Sequence, residues 1–236
     1  MNRTLARVLC LLSLSTPLVG QQDATQQQIA QALASGRTSL DVDALSKVRD
    51  LAVEQTKQHP DHAEAIYQLA RVNSYRSDAY AMRHDKKNAE RALDESIENL
   101  VQSLELNEKS ADAHSLLANC YGRKIGMGMP MFTGPKYGPK IDVESRRALE
   151  IDPNNPRAHA SLGRQYFMAP KMFGGDLDKA IAEFRRAIEL DPKSDETFVW
   201  LAMALRKKGD AAGAEQAIQT ALKLNPGSAF AKANAK

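Results

Sequence analysis

Small and aliphatic residues recur along the second half of the chain in blocks that end the same way. The segments ALEIDP (residues 148–153), AIELDP (187–192) and ALKLNP (221–226) align without gaps, and SLELNE (103–108) is a weaker copy. In each, the aliphatic positions share one face of a helix. The stop has a physical cause: a residue before proline is pushed out of the α region, and Asp or Asn can bond its own backbone in a turn. Pro153, Pro192 and Pro226 are 39 and 34 residues apart. Repetition at such a period predicts stacked helix pairs, since one pair alone cannot bury its apolar face.

The shorter spacing is that of the tetratricopeptide repeat (TPR), and the chain resembles that family position by position. The last copy carries Phe198, Leu201, Ala202, Leu205, Gly209, Ala214, Ile218, Ala221 and Pro226. The copy before it matches at His159, Leu162, Gly163, Tyr166, Ala180, Phe184, Ala187 and Pro192. The match weakens upstream, through His114, Leu117, Ala118 and Tyr121 to Ile66, Leu69, Ala70 and Ser96. The resemblance implies an all-α fold, a right-handed α-solenoid of stacked antiparallel helix pairs with long intra-repeat loops. Residues 61–236 are expected to form the array, about four repeats, behind an N-terminal capping helix pair in residues 21–60 (24–33 and 44–58).

Departures from the family pattern add to this picture. Leu201 to Ala214 is 13 residues, whereas the equivalent stretch is 18 from Leu162 to Ala180, 24 from Leu117 to Ile141 and 27 from Leu69 to Ser96. Insertions near 76–88, 125–140 and 169–175 should therefore neighbour one another along one edge of the array. The first is polar and compatible with longer helices. The second, GMGMPMFTGPKYGPK (126–140), is rich in Gly, Pro and Met and reads as an ordered loop. The third, MAPKMFGGD (168–176), reads as a turn running into a helix N-cap. Their apolar content predicts that Met127, Met129, Met131, Phe132, Met168, Met172 and Phe173 pack as one cluster over that edge. The Gly-Gly-Asp before a second helix gives a looser resemblance to the T component of TRAP transporters, an exported TPR-like family associated with solute-binding partners. It implies an alternative role, a solute-binding accessory of a transport system with a pocket under the Met-rich loops.

At the other end, Arg3 and Arg7 precede the apolar run VLCLLSL (8–14), which Ser15, Thr16 and Pro17 break. This is the layout of a secretory signal peptide over residues 1–20, with a run too short to span a bilayer. The expected location is therefore exported, periplasmic or secreted. Cleavage removes two arginines and no acid, leaving 30 Lys and Arg against 29 Asp and Glu. So even a balance gives no reason to expect nucleic acid as a partner. No later apolar run is long enough for an integral membrane segment. Cys120 is the one cysteine after cleavage, so no internal disulfide is expected.

Candidate chemistry is sparse. The histidines (His59, His62, His84, His114 and His159) include no pair at the i,i+4 spacing of two ligands on one helix face, so no metal site is expected. His114 and His159 share a repeat position and read as half-buried packing residues. Met127, Met129 and Met131 offer soft thioethers that suit Cu(I), but Met is equally a gap-filler. No nucleophilic-serine, phosphate-loop or H-E-x-x-H motif occurs, so neither enzyme activity nor a cofactor is expected. Binding remains. The TPR resemblance implies a concave groove lined by first-helix positions, here Tyr67, Arg71, Tyr75, Asn119, Arg123, Arg164, Phe167, Met203 and Arg206. Guanidinium groups bind carboxylates bidentately, so the expected occupant is a protein or peptide with an acidic side chain or C-terminal carboxylate. The reading is a non-enzymatic, exported protein–protein interaction scaffold.

Overall fold

The computed structural model describes residue 29 and residues 41–235. Ten α-helices follow one another among them: α1 (Val42–Gln58), α2 (Ala63–Met82), α3 (Lys86–Leu106), α4 (Ala111–Met127), α5 (Pro130–Ile151), α6 (Pro156–Met168), α7 (Leu177–Leu190), α8 (Asp195–Lys208), α9 (Ala211–Leu224) and α10 (Ala229–Ala233). A 3-10 turn (Lys171–Phe173) precedes α7. Helices α2/α3, α4/α5, α6/α7 and α8/α9 form antiparallel pairs, each stacked on the next, with α1 against α2 and α10 against α8 and α9. The architecture is the expected right-handed α-solenoid. The expected leader (1–20) and first capping helix (24–33) fall outside the described residues, except Ile29, which is fully buried among Val48, Ala52, Leu69 and Val72.

The helix stops depend on Asx more than on proline. Asp152, Asp191 and Asn225 end α5, α7 and α9 with φ of −135°, −132° and −139°. Asn107 ends α3 at −145° although Glu108, not proline, follows it. In all four the side-chain oxygen accepts the backbone N–H two residues on, from Asn154, Lys193, Gly227 and Lys109. That local bond closes the turn with or without the ring.

Close approach of paired helices also has two solutions. At Gly163 a Cβ would lie 2.6 Å from the Phe184 ring, so α6 and α7 meet only around glycine. Upstream, Ser96 and Ser103 of α3 donate to the Ala70 and Ala63 carbonyls of α2 at 2.8 Å. Each hydroxyl uses a spare carbonyl lone pair and is buried without being orphaned.

The insertions resolve differently. The first lengthens α2 and α3 and leaves residues 83–85 as the connection, with His84 at φ 60°. The second overturns the expectation of a loop: within 126–140 only residues 128 and 129 are non-helical. Pro130 occupies the first turn of α5, where its missing N–H is not needed. Pro135 and Pro139 share the exposed face with Met131, so water satisfies the carbonyls they leave unbonded. The inner face turns Tyr137 onto Tyr121, ring centroids 5.7 Å apart. The third insertion is a loop, closed by Gly174 at φ 86° and by Asp176, which caps α7.

The expected apolar cluster does not form. Met129, Met131, Phe132, Met168, Met172 and Phe173 are 63–84% exposed. Met127 alone of the seven packs against the core. The others stand at a helix terminus or on a tight turn, where no further layer closes over them.

Candidate functional site

Side chains of α2, α4, α6 and α8 meet one another across successive pairs, and these contacts define the inner face of the solenoid. Arg157 on α6 donates to Tyr67 Oη on α2 at 3.1 Å and pairs with Asp112 on α4 at 3.2 Å. Arg123 on α4 lies 2.7 Å from Asp78 on α2 and donates to Ser74 Oγ at 2.8 Å. Arg164 on α6 lies 3.6 Å from Glu196 on α8 and donates to Ser161 Oγ at 3.0 Å. The groove therefore carries a ladder of ion pairs between repeats.

These charges feel one another. Asp78 keeps 43% of its side-chain surface open, and the rest is enclosed by the neighbouring helices. Burial is accordingly the largest influence and pushes its pKa up, with Arg123 pulling it down and Glu196 adding to the rise. Burial likewise lowers the pKa of Arg164, opposed by Glu196 and assisted by the charge of Arg123.

The residues expected in the groove divide by what already holds them. Tyr67 and Phe167 are buried and form its floor. Burial pushes the Tyr67 hydroxyl up to about 12, so it stays neutral beside Arg157. Tyr75 packs against the N-terminal core and Met203 against the C-terminal one. Arg206 donates to the Asn234 carbonyl at 3.0 Å and serves the end of the array. Arg123 and Arg164 are engaged in the ladder.

Arg71 and Asn119 remain, at the same position of successive repeats. Arg71 donates to Gln68 Oε1 at 2.8 Å and lies 5.9 Å from the Tyr67 ring centre. It has no carboxylate partner among the described residues. Asn119 is half-buried, and its side chain makes no hydrogen bond among the described residues.

Asp78, Asp112, Arg157 and Glu196 were not among the expected groove residues. Two signals would have found them. Asp78 continues the helical stripe of Tyr67, Arg71 and Tyr75 into the first insertion. Asp112, Arg157 and Glu196 each stand six residues before the small residues Ala118, Gly163 and Ala202.

The sequence model of the family described as regulator of microtubule dynamics protein 1-3 matches residues 26–234. The chain belongs to that family. The match takes in every helix described above. The fold of this family member is similar to that of TTC0263, a thermophilic TPR protein in Thermus thermophilus, with a TM-score of 0.65 and 20% identity over 91% of this chain and 96% of that one. It is also similar to the APC/C hetero-tetramer Cut9-Hcn1, with a TM-score of 0.59 and 15% identity over 92% of this chain and 39% of that one. Among curated proteins, none matches the sequence. The likenesses establish a TPR-like fold.

Proposed function

We propose that this protein is an exported, non-enzymatic interaction scaffold that holds an extended segment of a protein partner along its concave groove. The observation that carries this reading is the pair Arg71 and Asn119. They stand at one repeat position, Arg71 has no carboxylate partner and Asn119 no side-chain hydrogen bond among the described residues, and both are flanked by charges already fixed in place. A carboxylate from an acidic side chain or a chain terminus suits Arg71, whose present partners are a neutral amide oxygen and a ring face. Asn119 can donate to and accept from a backbone amide of the same segment.

The family description, regulation of microtubule dynamics, names an action on a protein assembly and accords with protein binding. The solute-binding alternative lacks comparable support. Its expected pocket corresponds to a hollow of about 280 Å³ lined by Ala81, Lys86, Ala89, Gly126 and Met127, and the other methionines turn away from it. Export rests on the sequence of residues 1–20.

The reading is tested by capturing partners from the exported fraction with wild-type protein and with Arg71→Ala. The retained partner's binding segment should bind the variant about tenfold or more weakly, the loss expected for one charge-assisted bond. Equal capture and equal affinity would move the binding surface away from the groove.

A further inference from the structure

Six of the twelve exposed large hydrophobic side chains among the described residues lie in two short segments, and they are the six most exposed. Met129, Met131 and Phe132 stand at the start of α5, Met168 ends α6, and Met172 and Phe173 lie in the 3-10 turn before α7. Both segments join the first to the second helix of successive pairs, so they share one edge of the solenoid. Single exposed apolar residues mean little, but so local a concentration marks a contact surface.

Charge narrows the kind of contact. No acidic residue occurs between Asp112 and Asp142, or between Asp152 and Asp176. Lys136, Lys140 and Lys171 flank the apolar tips, and none has a carboxylate partner among the described residues. Lys136 and Lys140 instead lie 5.0 and 5.2 Å from the centres of the Tyr137 and Tyr121 rings. Elsewhere on the surface some cations are paired, as in Lys86–Glu90, Arg146–Asp142 and Arg186–Glu189. Those unpaired among the described residues, such as Lys57, Lys109 and Lys193, lie on stretches that also carry acidic residues.

Shape narrows it further. The Met and Phe side chains are 63–84% exposed, so they are built to enter another medium and not to receive a knob. Apolar tips of this kind gain by entering the acyl boundary of a bilayer, while lysines and tyrosines suit the headgroup level. Pro130, Pro135 and Pro139 restrict the α5 segment, so little order is lost on contact. No described helix is long and apolar enough to cross a membrane, so the association is peripheral.

We propose that this edge docks the protein onto an anionic lipid bilayer, with Met131, Phe132, Met172 and Phe173 entering the interface and Lys136, Lys140 and Lys171 meeting the headgroups. The proposal is independent of the groove reading. The full chain is mixed with phosphatidylcholine vesicles with or without phosphatidylglycerol. The indole introduced by Phe132→Trp in a Trp200→Phe background is followed for a blue shift and for quenching by brominated acyl chains, signals that attachment through the N-terminal segment does not produce at position 132.

Both signals are expected with the anionic vesicles and weak or absent with neutral ones. The M131S/F132S/M172S/F173S and K136E/K140E/K171E variants change exposed residues and leave the core intact. Each should weaken binding about tenfold or more. Absence of the blue shift in vesicle-bound protein overturns the proposal, as does undiminished binding by both variants. So does a wild type that ignores vesicles but loses self-association when the apolar residues are replaced, which would assign the edge to a protein contact.

Discussion

His114 Nδ1 lies 2.6 Å from Glu144 Oε2 and joins the first helix of its pair to the second, and His159 repeats the contact with Glu183 at 2.6 Å. The other ring nitrogen of each faces a backbone carbonyl, Glu108 at 3.0 Å and Pro153 at 3.1 Å. With an acceptor on both sides, a ring completes both bonds only when it carries two protons. At His114 the expected packing role therefore comes with a charge.

That charge makes stability depend on pH. Burial is the largest influence on His114 and disfavours the proton, but the Glu144 hydrogen bond, the Glu108 carbonyl and the charge of Glu144 outweigh it and raise its pKa above 6.5. The folded state thus holds the proton more tightly than the unfolded one. Its contribution is complete below the unfolded value and disappears as pH rises through the folded value. The thermal midpoint should fall on going from about pH 6 to about pH 8, and His114→Gln should flatten that fall. An unchanged pH slope in the variant would show that the clamp is not the source.

Gly163→Ala sets two effects against each other. Alanine favours a helix over glycine by about 1 kcal/mol, but overpacking a closed core costs about 1–3 kcal/mol. The new Cβ would lie 2.6 Å from the Phe184 ring, which is fully buried and has nowhere to go. Net destabilisation of about 1–2 kcal/mol is expected in urea unfolding, largely relieved in Gly163→Ala/Phe184→Leu. A stabilised single variant would mean that α6 and α7 separate freely.

The Asp78–Arg123 pair predicts a non-additive cycle. Arg123→Ala leaves the half-open Asp78 carboxylate without its cation, and water compensates only in part. A loss of about 1–3 kcal/mol is expected, and Asp78→Ala on that background should recover part of it. Additive single and double variants would show that the pair is already fully solvated. Arg71→Ala should stay within about 0.5 kcal/mol, since it leaves no charge unpaired.

The repeat was legible because it rests on local physics. Asp and Asn stops close their turns within two residues, and Ala70, Ala118, Gly163 and Ala202 mark where helices touch. The second insertion was misread for an equally local reason. Its prolines suggest a loop when counted, yet their four-residue spacing puts Pro135 and Pro139 on one exposed face where a helix tolerates them. The groove was half legible. Arg71 and Asn119 follow from repeat position alone, whereas the engagement of Arg123 and Arg164 depends on Asp78 and Glu196, which belong to neighbouring repeats. Burial of the Met-rich segments could not be read from composition, because it depends on whether another layer covers them.

The groove itself is tested most directly by placing a photo-cross-linking benzoyl-phenylalanine at Asn119, with the same group at Glu98 on the exposed face of α3 as a control. Irradiation in whole-cell extract should yield a discrete protein adduct from Asn119 and none from Glu98, and excess partner segment should suppress it. An adduct from Glu98 alone, or none from Asn119 while the protein still captures its partner, would contradict a groove-binding scaffold.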